Sequence, residues 1–126
     1  MDIFQVELDD GEVAAAVELS MEPYGTKTPY AADNTERSRI MLHQIGEIWP
    51  RLWLEMRTHF ETAAKELDLD TPLDSDSLIG QISGLGPGVF MADRCDTYLS
   101  LSSENHPPDW DCFLKDGQIV HFQPVY

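Results

Sequence analysis

The chain is short of positive charge. Eight lysines and arginines stand against 23 aspartates and glutamates, a formal net charge of −15 spread along the whole length. Such a field repels phosphate backbones and anionic lipid, so direct nucleic-acid binding is not expected, while a basic protein partner is attracted. Solubility, or life in salty surroundings, accounts for the same number equally well. Cysteine is nearly as scarce. Cys95 and Cys112 are the only two, and with no export signal in view they are expected to be reduced thiols and not a disulfide. Long apolar runs are missing too: no stretch approaches the roughly 20 residues a membrane helix needs. The opening MDIFQVELDDGE is acidic and alternating, where a secretory signal would be basic and then continuously apolar. Together these absences point to a cytoplasmic chain with no membrane partner.

What is present is enough for one core. With 126 residues and 42% hydrophobic composition, residues 1–126 are expected to form a single α+β domain. Residues 2–20 alternate in period two around Asp10-Gly11, a dipeptide favoured in two-residue hairpin turns. That turn would set Leu8 opposite Val13, Val6 opposite Ala15 and Phe4 opposite Val17 on a buried face. Residues 21–34, with two prolines, a glycine and the capping-type Asp33-Asn34-Thr35, read as a connector into a helix, in which Tyr24, Lys27 and Tyr30 could also serve as a binding loop.

From Thr35 to Leu67, Met41, Ile45, Ile48, Leu52, Met56 and Phe60 recur at intervals of three or four, with Ala63 and Leu67 continuing the stripe and Trp49 and Trp53 widening it. About 33 residues of helix would measure roughly 50 Å, against a diameter near 36 Å for a compact chain of this size. A kink or a break is therefore expected near Pro50, which removes a donor and crowds the Gly46 carbonyl. Three or four short strands follow, separated by Gly-Pro-Gly, Pro-Pro and Asp-Gly punctuation. The expected architecture is an antiparallel sheet of about five to six strands in the order β-β-α-β-β-β, with room for one more, covered on one face by the long helix.

The residues that could carry chemistry gather near the C-terminus. With Asp116-Gly117 as a two-residue turn, Lys115 faces Gln118, Leu114 faces Ile119, Phe113 faces Val120 and Cys112 faces His121, with Trp110 on the side of Cys112. A cysteine beside a histidine is the beginning of a thiolate nucleophile or of a zinc site, to which Cys95, His106 and Asp111 could contribute. The close Cys-x-x-Cys or His-x-x-x-His spacings of zinc sites are absent, and a mid-strand nucleophile has no evident oxyanion loop. A packed, inert Cys/His pair is the preferred reading. Asp93, Asp96, Asp109 and Asp111 are the acid/base candidates, but carboxylates are too abundant for proximity in sequence to single them out. Asp68, Asp70, Asp74 and Asp76 fall at calcium-loop spacings, yet proline, leucine and isoleucine occupy the fifth, sixth and twelfth positions, so an acidic surface loop is expected. GLGPG lacks the lysine and helix of a phosphate loop, which leaves Gly84, Gly86 and Gly88 as a tight turn. No catalytic residue, metal or cofactor is assigned.

The block QISGL, TYLSLSSEN and DWDCFLKDGQIV resembles the C-terminal half of small bacterial families, some of them grouped with immunity proteins of toxin systems. The resemblance spans residues 80–123 and is carried by the strand pattern, Trp110, Asp111 and Gly117. It implies a stoichiometric binding protein with no catalytic residues to transfer. Three readings follow: a non-enzymatic protein-binding domain that neutralises a basic toxin such as a nuclease; a small thiol- or metal-dependent enzyme or metal-binding protein using Cys112 and His121; and a homo-oligomeric scaffold, a homodimer in its simplest form, joined through sheet edges or an aromatic patch.

Overall fold

In the computed structural model, which describes residues 2–22, 25–31, 35–66, 77–85, 92–103 and 109–125, the alternating N-terminal segment forms β1 (Ile3–Glu7) and β2 (Val13–Val17). Their turn is longer than two residues. Leu8 N–H donates to Glu12 O at 2.8 Å and Gly11 N–H to Leu8 O at 2.9 Å, closing a loop of Asp9, Asp10 and Gly11. Gly11 takes a positive φ of 84°, while the Asp10 carboxylate accepts the Glu12 N–H at 3.0 Å. A two-residue type I′ turn would need positive φ at both central positions, and here Gly11 alone supplies it. The register therefore slips by one from that expected: Ile3 faces Val17, Phe4 faces Ala16 and Val6 faces Ala14. A one-residue slip exchanges the faces. Ile3 packs on the core with Ala15 and Val17, and Phe4 is left 39% exposed on the other side.

The expected connector also contains strands. β4 (Thr26–Lys27) pairs with β3 (Leu19–Ser20), just ahead of the connector, in a separate two-stranded ribbon, and β5 (Tyr30–Ala31) enters the main sheet. Strands of two residues are too short to show alternation, so nothing in residues 21–34 marks them. Val17 N–H donates to the carbonyl of Pro29 at 3.3 Å, which ties the segment to β2.

Thr35 starts the helix α1 (Glu36–Glu66): its hydroxyl oxygen accepts the Ser38 N–H at 3.2 Å and its carbonyl accepts the Arg39 N–H at 3.1 Å. This is an N-cap, satisfying a donor that has no partner within the helix. The helix runs unbroken through Pro50, so the expectation of two helices is not met. A helix-interior proline costs about 3 kcal/mol. On either side of Pro50, however, Leu42, Ile45, Trp49, Leu52, Met56 and Phe60 are buried, each contributing about 1.5–3 kcal/mol. Burial outweighs the proline, which itself faces solvent. Trp49 adds an anchor, donating its indole N–H to Ser20 O at 2.9 Å. Ile48, expected in the stripe, is only partly buried.

After the helix come β6 (Ser77–Gly84), β7 (Thr97–Ser103), β8 (Asp109–Lys115) and β9 (Gln118–Val125). The main sheet has seven strands in the order β1-β2-β5-β6-β7-β8-β9. Only β5 and β6 are parallel, and the helix between them supplies the long crossover that a parallel pair needs. The fold is thus α+β, one helix on a mostly antiparallel sheet. The count exceeds the expected five to six strands because β5 was not legible.

The two faces of the sheet differ. Toward the helix, Ala31, Ile82, Leu99 and Cys112 lie in one cross-strand row ending on Phe122, and all but Phe122 are fully buried. On the opposite face a second row runs from Phe4 through Ala16, Tyr30, Gln81, Ser100 and Asp111 to Gln123, and in it only Ala16 is fully buried. Among the described residues, no helix or strand packs on that face. No described helix is long and apolar enough to cross a membrane.

Candidate functional site

The C-terminal hairpin turns where expected. Asp116 and Gly117 both take positive φ, 51° and 77°, as a type I′ turn requires, and the pairs Lys115–Gln118 and Leu114–Ile119 form. Beyond them the register shifts at Phe113/Leu114, so that Val120 is bulged out and 50% exposed. His121 then lies opposite Phe113, and Phe122 opposite Cys112. The expected Cys112–His121 pair is not made, because the two side chains point to opposite faces of the sheet. The bulge has a clear advantage. Phe122 swings toward the helix and packs on Phe60 and Trp110, with ring centroids 5.2 and 5.5 Å away. Without the bulge the imidazole would take its place in the core and the phenyl ring would face water, forfeiting most of the roughly 2–3 kcal/mol from burying a phenylalanine.

Neither thiol is set up as a nucleophile. Cys112 is fully buried, and burial, with a smaller push from the Glu55 carboxylate, raises its pKa to about 12. Cys95 is buried in the approach to β7, and burial together with Asp93 and Asp96 raises its thiol as well. Both environments oppose the thiolate, which is the reactive form. Trp110 shares the helix-side face with Cys112, as expected, and meets Phe60 edge-on at 5.3 Å. His106, the acidic stretch with Asp68, Asp70, Asp74 and Asp76, Tyr24, Gly86 and Gly88 lie outside the described residues. Among the described residues no three His, Cys, Asp or Glu side chains gather as metal ligands would.

The carboxylates sort by role. Asp96 is a structural clip: its Oδ1 accepts the Thr97 hydroxyl at 2.9 Å and its Oδ2 accepts the Asp116 N–H at 2.9 Å, fastening the hairpin turn to the start of β7. Asp93 lies exposed beside Arg94 at 3.8 Å. Asp109 is exposed at the first position of β8. Asp111 is partly buried on the open face, where its Oδ1 accepts the Tyr98 hydroxyl at 2.6 Å. Burial and this bond to Asp111 raise the Tyr98 pKa, so the phenol stays protonated and remains the donor.

Of the residues singled out in the sequence, the open face brings together Asp111 and His121 and excludes Cys112. It also adds residues that were not singled out. Tyr98, Phe113 and His121 form a line of rings across β7, β8 and β9, with centroids 5.0 and 5.9 Å apart. His121 Nε2 meets Gln123 Oε1 at 2.7 Å, a bond in which the imidazole donates. The signal was present in TYLSLSS, whose alternation puts Tyr98, Ser100 and Ser102 on one face and Leu99 and Leu101 on the other.

A second feature, a cleft of about 560 Å³, lies between the first half of α1 and the ends of β6, β7 and β8. Several of its polar groups are already engaged. Arg37 donates to Leu85 O at 3.3 Å, Thr35 bonds Ser38, and Asp96 is used as described. Next to it, Arg51 donates to Gly117 O at 2.7 Å. The cleft therefore offers few groups to orient a ligand. Comparison with protein families, curated proteins and solved structures returns no match.

Proposed function

We propose that the chain is a non-enzymatic, cytoplasmic protein-binding domain whose partner is a basic protein, with a toxin such as a nuclease as the leading class. The observation that carries this reading is how unevenly the charge is distributed between the layers. In residues 35–66, the helix and its cap, five acidic residues are matched by five basic ones. In the remaining described residues, which make up the sheet and its turns, twelve acidic residues face three basic ones, Lys27, Arg94 and Lys115. A surplus needed only for solubility has no reason to avoid one layer. A surplus borne by the sheet and its turns, seven of the twelve acids within residues 2–22 and five within residues 92–125, gives an uneven field that attracts a basic partner.

The competing readings lose physical support. The thiol-enzyme reading requires a polarised cysteine, and Cys112 has a phenyl ring opposite it where a histidine was expected. For the scaffold reading, the β9 edge is interrupted by the bulge at Val120 and by Pro124, and both features blunt pairing there, which leaves β1 as the edge through which copies could pair.

Affinity capture from lysate of the source cell, at low and at moderate salt, followed by calorimetry on the recovered protein, tests the proposal. The expected result is a basic protein held at low salt, weakened by added salt and binding with one-to-one stoichiometry. Recovery of only neutral or acidic proteins, or binding indifferent to salt, would refute it.

A further inference from the structure

Two of the sheet layer's carboxylates, Asp109 and Asp111, lie on the face on which no described element packs, at its β7–β9 end and away from the buried Ala14 and Ala16 of β2. We infer that this open face, centred on β7, β8 and β9, is the surface that docks the basic partner, and that it receives arginine or lysine side chains. The inference rests on the reading above that the partner is basic.

The face is built for a planar cation. The Tyr98 hydroxyl occupies Asp111 Oδ1 at 2.6 Å. That bond fixes the carboxylate while leaving Oδ2 available, so the acceptor is oriented before a partner arrives. Beside it stand the rings of Tyr98, Phe113 and His121, of which His121 is exposed, Tyr98 partly so, and Phe113, buried at 5%, backs the other two. A guanidinium can lie on such rings and point its fork at the carboxylate, an arrangement an ammonium matches less well. Ser100 and Gln123, partly exposed in the same row as Asp111, supply neutral hydrogen-bonding groups around it. Asp109 adds a second exposed carboxylate two residues away on the same strand face.

Size limits what can bind. Three strands about 4.8 Å apart, each about 23 Å long at about 3.3 Å per residue, give β7, β8 and β9 a face of roughly 330 Å². A standard interface buries about 800 Å² on each partner. The face therefore accounts for less than half of such an interface, and neighbouring strands and turns must provide the rest.

The test uses the ¹⁵N-labelled protein and an oligo-arginine peptide, with an oligo-citrulline peptide of equal length as the uncharged control. At low salt the arginine peptide is expected to shift the amides of Tyr98, Asp111, Phe113 and His121, and citrulline to leave them in place. Asp111→Asn keeps the oxygen that accepts from Tyr98 and removes only the charge. It should weaken the peptide about fivefold, the effect of one partly exposed ion pair. Glu61→Gln on the helix should change affinity less than about 1.5-fold, as a distant charge does through a screened field. Shifts confined to α1 or to the β1–β2 turn, equal effects of the two variants, or a dimer in sedimentation that covers these amides would overturn the assignment. If the natural partner, once captured, protects helix amides instead, the docking face is wrong and the basic-partner reading stands. If neither the peptide nor any basic protein binds, both fall together.

Discussion

The buried thiol of Cys112 makes stability fall in alkali by an amount that can be worked out. An ordinary cysteine ionises near 8.5, and burial inside the core raises this one to about 12. The unfolded chain can ionise above its ordinary value while the folded chain cannot. The thiol's contribution is therefore complete below pH of about 8.5 and is lost as pH climbs toward about 12, at roughly 1.4 kcal/mol per pH unit. From pH of about 9 to about 10.5 the loss is roughly 2 kcal/mol, a sizeable part of the 5–15 kcal/mol typical of a domain. Urea unfolding followed by tryptophan fluorescence at several pH values measures it, with Cys112→Ala as the control. That variant is expected to be about 1–2 kcal/mol weaker at neutral pH, from lost packing, but to have a flatter alkaline limb. Cys95 and Tyr98 also have raised pKa values and act in the same direction. They are common to both proteins, so the difference in slope isolates Cys112. Alkylation gives a second reading: at pH of about 8 the thiolate fraction is roughly 10⁻⁴, against about a quarter for an ordinary cysteine. If native Cys112 were alkylated as fast as a free thiol, or both proteins lost stability equally in alkali, the account of this core position would be refuted.

Three substitutions test the frame around the open face. Phe60→Ala removes a fully buried ring that meets both Trp110 and Phe122 edge-on and should cost about 3–5 kcal/mol by chemical denaturation. Thr35→Ala deletes the N-cap and should cost about 1 kcal/mol, visible as a lower midpoint with an unchanged urea slope. Gly117→Ala places a Cβ 3.2 Å from Ile48 Cδ1 at a positive φ of 77° and should lower the thermal midpoint by several degrees, at a cost of about 1–2 kcal/mol.

The sequence made the local features legible and hid those settled at a distance. The helix was readable because its apolar stripe repeats for about seven turns, and its continuity through Pro50 follows from buried residues on both sides. The two Asp-Gly dipeptides look alike in sequence yet turn differently. At Asp116-Gly117 both residues reach positive φ, whereas at Asp10-Gly11 the aspartate instead accepts the Glu12 N–H, and the loop grows by one residue. β5 escaped notice because its two residues are specified by what flanks them in space, β2 and β6, and not by alternation of their own. The pair Asp111 and His121 was visible as separate polar residues, but the line of rings between them depends on a register that the bulge sets.

That bulge links fold to proposed function. A strand that kept strict alternation through QIVHF would have to give up either the phenylalanine or the histidine. Bulging Val120 lets neighbouring residues meet opposite needs: Phe122 completes the aromatic cluster under the helix, and His121 extends the ring line on the open face. The same hairpin thus closes the core and builds the surface, and the helix layer, with its charges balanced, holds the sheet in place and adds nothing to the field. On the proposed reading, a basic partner drawn by the acidic sheet layer would find at β7–β9 the oriented Asp111 carboxylate with the exposed His121 and half-exposed Tyr98 rings beside it. Long-range attraction would then add to short-range recognition there.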